Sequence, residues 1–400
     1  MTASIAGVGW GAAAALLAGT SVWALILRRG VGRAFPSYLV KGRLPDGPAV
    51  PVMMYHAVTA ERLDAELSYL QSNGYETISA ETLAAWLRGE GRSLPPRPIA
   101  LTFDDGHASL YSVAYGLLNK YGMQATAFVC PWWVEQASRR RRGEADAGIP
   151  VAHVTWDELR EMSASGGIDV ESHTYDHHRV WIDSEVIGFV TPDGEWPGVR
   201  WDDERAPSGY PRPPLGWPIL RYGPRFGPRP AFIPDVQAVG ACVRHVADNG
   251  GADFFSRRDW REGLLDLLGG VRGHAPGRFE TAVEQREAMS NDLQATREAI
   301  ERELGKPIRH LCFPWNEAGE LAVGMAIECG YHSIFRGTLD GRDVNVPGGD
   351  PMHILRINAG SSSERYTMSL PGRGRRGVSR VLLAKSMAVV MRRVGARNRA

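Results

Sequence analysis

Cysteine is scarce in this chain. Its four cysteines, Cys130, Cys242, Cys312 and Cys329, are far apart and form no close pair, which excludes a zinc ribbon or a disulfide scaffold and leaves them as core thiols. An excess of one charge is also lacking. Forty-six Lys and Arg against 45 Asp and Glu leave a net charge of +1, which argues against general nucleic-acid binding. Charge is missing altogether from Ile5 to Leu27, a run long enough to cross a bilayer as a helix, with Trp10 and Trp23 near its ends. A cleavable signal peptide would begin with basic residues, whereas here they come after the apolar run, so the segment reads as a membrane anchor. Arg28, Arg29, Arg33, Lys41 and Arg43 on its C-terminal side favour a cytoplasmic location for the folded domain. Acidic residues are absent from Arg373 onward. There Leu383, Met387, Val390, Met391 and Val394 share a helical face opposite Lys385 and Arg392, the pattern of a helix on an anionic membrane surface or of a solvated basic tail.

Between these ends, 44% apolar and 23% charged residues suffice for a sizeable core. The expected organisation is an anchor and linker over residues 1–45, a folded domain over 46–370 and a basic amphipathic tail over 371–400. Strand and helix alternate from Val52 onward. Ile99-Ala100-Leu101 reads as a buried strand running into Thr102-Phe103-Asp104-Asp105-Gly106. Neighbouring side chains on a strand point to opposite sides, so Asp104 and Asp105 serve one site only if the strand ends there and the backbone turns. An acidic turn capping the next helix is the plainer alternative.

Thr155 and Glu158 form a capping box, and the next strand, Ile168 to Glu171, leads into Ser172-His173-Thr174-Tyr175-Asp176-His177. Two imidazoles four residues apart after a strand can reach one metal ion, although such a pair in isolation is more often an exposed turn. The alternation stops over residues 178–279, where Pro is dense and Trp181, Trp196, Trp201 and Trp217 fall. This segment reads as an insertion, too aromatic for plain disorder, with helices at 236–247 and 260–268. Its aromatic residues suit either a sugar-binding surface or ordinary packing. A helical stripe, Met289, Leu293, Thr296, Ile300 and Leu304, then precedes a strand ending at Phe313-Pro314-Trp315-Asn316, and a last strand is expected at His353 to Ile357.

The two strand-end motifs and the third at Phe313-Pro314-Trp315, in this order, resemble the polysaccharide deacetylases with a NodB-type domain, over residues 51–177 and 284–358. The start Met54-Tyr55-His56 is similar to the branch acting on poly-N-acetylglucosamine. The resemblance implies an α/β fold, a distorted (β/α) barrel of about seven strands. It also implies Asp104 as catalytic base, Asp105, His173 and His177 as ligands of a divalent metal, Zn2+, and the backbone N–H of Trp315 as part of an oxyanion hole. Many members carry Arg two residues before the proline of the third motif, where this chain has Cys312, and the late His has no clear counterpart in Ile354-Leu355-Arg356-Ile357. His353 is then the nearest candidate for the general acid, with His332 second. The implied activity is hydrolysis of N-acetyl groups on an amino-sugar polysaccharide or lipid-linked glycan. O-acetyl ester hydrolysis at the same site and non-catalytic glycan binding are the alternatives.

Overall fold

The computed structural model describes residues 38, 42–90, 93–143, 152–195, 197–199, 212–270, 273–337, 344–359 and 366–376. The apolar run Ile5 to Leu27 and nearly all of the basic tail lie outside them. Among the described residues, no helix is long and apolar enough to cross a membrane.

The chain enters the sheet at β1 (Val52–Tyr55), continues through α1 (Ala60–Ser72), β2 (Glu76–Thr77) and α2 (Ala80–Leu87), and reaches β3 (Pro98–Phe103). A helical stretch of π and then α type comes next, its last part α3 (Gly116–Tyr121), before β4 (Ala125–Val129), α4 (Pro131–Arg141), α5 (Trp156–Ala164) and β5 (Ile168–Ser172). The capping box read at Thr155 is present: its hydroxyl accepts from the Glu158 N–H while the Glu158 carboxylate accepts from the Thr155 N–H.

Residues 179–279 contain β6 (Arg179–Phe189), β7 (Pro218–Pro224), β8 (Phe232–Pro234), α6 (Val236–Asp248), α7 (Trp260–Leu268) and β9 (Gly277–Phe279). Trp181, Phe189, Leu220, Phe232, Cys242, Phe254 and Leu264 bury one another in a core of their own, separate from the barrel's. Burial of that many large apolar side chains is what folds the segment, and its two antiparallel pairs, β6 with β7 and β8 with β9, stand apart from the main sheet. The barrel pattern resumes with α8 (Ala282–Leu304), β10 (His310–Cys312), α9 (Glu320–Glu328), β11 (Ser333–Arg336), β12 (Ile354–Leu355) and β13 (Ile357–Asn358). On α8, Met289, Leu293, Thr296 and Ile300 are the buried stripe, and Gly305 ends the helix in the left-handed conformation.

The main sheet is parallel, in the order β12, β11, β10, β5, β4, β3, β1, β13, with β2 on β3. The strand expected at 353–357 is in fact two short strands on opposite edges. Leu355 pairs with Arg336 on β11, and Ile357 pairs with Met53 on β1. One residue, Arg356, therefore spans the seam of a nearly closed barrel. Counting the 354–358 segment as one stave gives seven with β1, β3, β4, β5, β10 and β11, in keeping with the barrel implied by the sequence motifs.

Candidate metal centre and active site

In a parallel barrel the strand C-termini gather at one rim, and loops leaving that rim build the site. Asp104 follows β3 and still donates its N–H to the Tyr55 carbonyl at 2.9 Å, so its side chain points as a strand residue's does. Asp105 breaks the strand with φ of 70°, and Gly106 continues in the left-handed region at 65°. These two steps turn the second carboxylate to the same rim as the first. A Cβ at Gly106 would also meet Val129 Cγ1 at 3.2 Å, so the close approach to β4 favours glycine there.

His173 follows β5, and the loop after it passes through left-handed Thr174 (φ 64°) and His177 (φ 55°), which folds the second imidazole back toward the first. Non-glycine residues in that region cost about 1–3 kcal/mol each, and such strain collects at functional sites. Asp105, His173 and His177 bring one ligand atom each within 4.8 Å of the others. Their Nε2 atoms lie 3.2 Å (His173) and 3.6 Å (His177) from Asp105 Oδ1. That oxygen is buried, yet it makes no hydrogen bond: the three groups point at a common centre rather than at one another. His173 Nδ1 is held by the Cys312 carbonyl at 2.8 Å, which leaves Nε2 for the centre. Two imidazole nitrogens and one carboxylate oxygen, oriented from behind and lacking a partner in front, fit a divalent cation with a position left open. His173 is 2% exposed at its side chain, whereas His177 and Asp105 are 14% and 24% exposed, so the open side is theirs.

The electrostatics agree with that reading. Burial tends to raise the Asp105 carboxyl, but His173, His177 and His56 outweigh it and hold it well below the usual range. Burial and the neighbouring His173 push His177 down to about 4, while the surrounding anionic and thiol groups raise His173 against its burial. A cation held by these three groups would compete with a proton on His173.

Asp104 lies deeper, 2% exposed. Burial would raise its carboxyl, yet the Arg356 guanidinium, with Nη1 at 2.7 Å from Oδ1, keeps it below the ordinary value. Arg356 is itself fully buried; its Nη2 donates to Asn316 Oδ1 at 2.7 Å and to Cys312 Sγ at 2.9 Å. The third motif lacks an arginine before its proline, and the structure places one beside Asp104 from the seam instead. Burial pushes the Cys312 thiol up, so it meets Asp104 Oδ2 at 3.5 Å as a neutral donor.

Trp315 stands at the rim with φ of 55°, and its ring meets His177 edge-on at 4.2 Å. Trp133 stacks on the other side of His177 at 5.2 Å and on His153 at 4.5 Å; burial lowers His153 to about 4. Arg179, the first residue of β6, lies over Trp315 at 4.6 Å and over Tyr222 of β7 at 5.4 Å, so the inserted hairpin touches the rim.

Of the two histidines considered as acids, one stands at the far end of its strand and the other beside the end of β11. His332 precedes β11, at the strand's N-terminal end, and donates its N–H to the Arg309 carbonyl, away from the rim at which the aspartates gather. His353 enters β12 against Arg336, whose Nη1 is 3.2 Å from its Nδ1. Besides His173, the imidazole whose charge bears on both Asp104 and Asp105 is His56, exposed at the C-terminal end of β1. Its position was legible as the residue after the first strand, but a lone His there carried no spacing to single it out.

Fold and site together define a parallel α/β barrel with three side chains that could hold a cation, and a buried carboxylate, at its C-terminal rim. Residues 91–192 match the family model described as polysaccharide deacetylase. Over that stretch the chain is similar to the polysaccharide deacetylases. YxkH of Bacillus subtilis (strain 168), provisionally named a polysaccharide deacetylase, is 29% identical over 136 residues, 32% of this chain and 43% of that one. A poly-beta-1,6-N-acetyl-D-glucosamine N-deacetylase of Escherichia coli (strain K12) is 27% identical over 139 residues, 34% of this chain and 20% of that one. These matches span less than half the length of either relative. The deacetylase domain of BpsB from Bordetella bronchiseptica has the same fold, with a TM-score of 0.51 and 21% identity over 78% of this chain and 97% of that one.

Proposed function

We propose that the protein is a metal-dependent hydrolase removing N-acetyl groups from amino sugars of a polysaccharide or lipid-linked glycan, with Zn2+ as its metal. The observation that carries this reading is the buried, partnerless Asp105 Oδ1 aimed with two imidazoles at one point, next to the Asp104–Arg356 pair. The names of the matched relatives support the substrate class. A bound divalent cation supplies Lewis acidity and a water whose pKa falls toward about 7. Asp105, His173 and His177 hold it. Asp104, kept ionised by Arg356, takes the proton of the attacking water. His56, exposed at the mouth, returns a proton to the leaving amine, which an amide requires and an ester hardly does. The Trp315 N–H stands at the rim for the acyl oxygen, and the ring shields His177. Anchoring by Ile5 to Leu27 belongs to the same proposal and rests on its lack of charge.

The test measures bound metal and amine release from N-acetylglucosamine oligomers. Asp105→Ala, His173→Ala and His177→Ala are expected to lose metal and activity together, whereas Asp104→Asn keeps the metal and loses roughly a hundredfold or more in turnover. His56→Gln is expected to lose amine release while retaining most hydrolysis of an activated acetate ester. Metal retained in Asp105→Ala, or turnover unchanged in Asp104→Asn, overturns these roles.

A further inference from the structure

The insertion and the barrel enclose a second cavity, of about 490 Å³, within the roughly 300–1,000 Å³ range of ligand pockets. Tyr175 and His178 form part of its lining, and both belong to the loop that carries His173 and His177. His178 directly follows His177 in the chain, with Cα atoms about 3.8 Å apart, so one loop serves both the cavity and the candidate metal centre. The insertion supplies aromatic walls, Trp181, Trp217 and Phe232, and α8 supplies Ala288 and Asn291 on an exposed face.

The charged side chains in and beside this cavity already engage one another, although Asp176 and Asp292 share the one imidazole of His178. Arg225 Nη1 lies 2.9 and 2.8 Å from the two oxygens of Glu280, and Glu280 Oε1 also accepts from the Ala231 N–H at 2.7 Å. His178 Nδ1 is 2.6 Å from Asp176 Oδ1, and Asp292 Oδ1 accepts from the Tyr175 N–H at 2.9 Å. An ionic ligand would have to compete with these buried pairs, and breaking one is costly. A purely apolar ligand would bury the Asn291 amide and the imidazole face without partners. What suits indole and phenyl faces next to an amide and an imidazole is a neutral ligand with apolar faces and many hydroxyls.

We propose that this cavity is a saccharide-binding site, taking neighbouring sugar units of the glycan whose acetylated unit sits at the metal centre. It rests on the glycan reading above for the choice of ligand, and it assigns the insertion a part in selecting chain length. Sugar units added beyond those the metal centre accommodates gain contacts only if the cavity is open.

The test places bulk at the cavity mouth. Ala288→Trp on the exposed face of α8 is compared with Gln294→Trp, which is exposed on the same helix but outside the cavity lining. The readouts are the ratio of kcat/KM for hexameric over dimeric N-acetylglucosamine, and the binding of hexamer followed by tryptophan fluorescence in an Asp104→Asn background. Ala288→Trp is expected to lower the ratio and to weaken hexamer binding about tenfold, while Gln294→Trp keeps the wild-type values. Equal hexamer binding in both variants overturns the proposal. If no oligomer is turned over but Ala288→Trp still weakens hexamer binding, the cavity stands and the deacetylase reading fails.

Discussion

Asp104 and Asp105 are neighbours in sequence with different surroundings. Asp105 faces imidazoles at the open rim, while Asp104 faces one buried guanidinium. Burial alone would raise the Asp104 carboxyl, and Arg356 reverses that tendency. The group's folded pKa is depressed, so its contribution to stability is present above the ordinary carboxylate pKa and is lost as pH falls through the folded value. Arg356→Met removes the counter-ion and leaves the burial. The acid limb of the kcat/KM profile is then expected to move to higher pH, and the folded state to lose about 3–5 kcal/mol at neutral pH, the usual cost of stranding one member of a buried pair. That loss should shrink as pH is lowered, because protonation relieves the stranded carboxylate. Denaturant unfolding at several pH values together with the pH–rate profile checks both; an unmoved acid limb would show that Arg356 does not set the ionisation of the base.

At the scale of elements, the inserted hairpin and the rim share Arg179. Its guanidinium lies between Tyr222 of β7 and Trp315 of the rim, and Trp315 in turn meets His177. A cation over an aromatic face is worth about 0.5–2 kcal/mol, enough to hold one side-chain arrangement over another. Arg179→Ala is expected to lower kcat several-fold with bound metal unchanged, because it frees Trp315 and leaves the three ligands in place. Arg179→Lys should restore part of the loss, since an ammonium keeps the charge without the planar stack. Steady-state kinetics with metal analysis, and near-ultraviolet dichroism of the indole, distinguish this from a general loss of folding. The elements also show what the sequence made legible. The capping box at Thr155, the stripe on α8 and the helices at 236–248 and 260–268 arise from local periodicity and caps, which the chain states plainly. The Asp-Asp and His-x-x-x-His motifs were legible for the same reason. Arg356 was not: its role depends on two-residue strands pairing with opposite edges of the sheet, and such strands carry no periodicity. His353 is the imidazole closest in sequence to that seam, whereas His56 follows β1, which pairs with β3 and so stands beside the strand that ends at the carboxylates.

At the scale of the whole molecule, the barrel is closed unevenly. β4 and β5 pair over five residue positions and β1 and β3 over four; β5 and β10 share a single pair, but each has a longer ladder on its other side, whereas β12 and β13 each pair on one side alone, over two positions. Fewer ladder bonds mean a lower cost of local opening. Amide exchange is therefore expected to be fastest among the barrel strands at 354–358 and slowest at 125–129 and 168–172, and equal protection throughout would show that the seam opens only with global unfolding.

The seam also fixes an order of events as the chain is made. A polypeptide leaves the ribosome N-terminus first, and its folding units form in that direction. Asp104 and the three side chains that could hold a cation have emerged once residue 177 is out, long before Arg356. Until the last stave docks, Asp104 lacks the guanidinium that does most to offset its burial. Closure thus comes last: the buried surroundings of Asp104 are complete only after every strand of the barrel has been laid down.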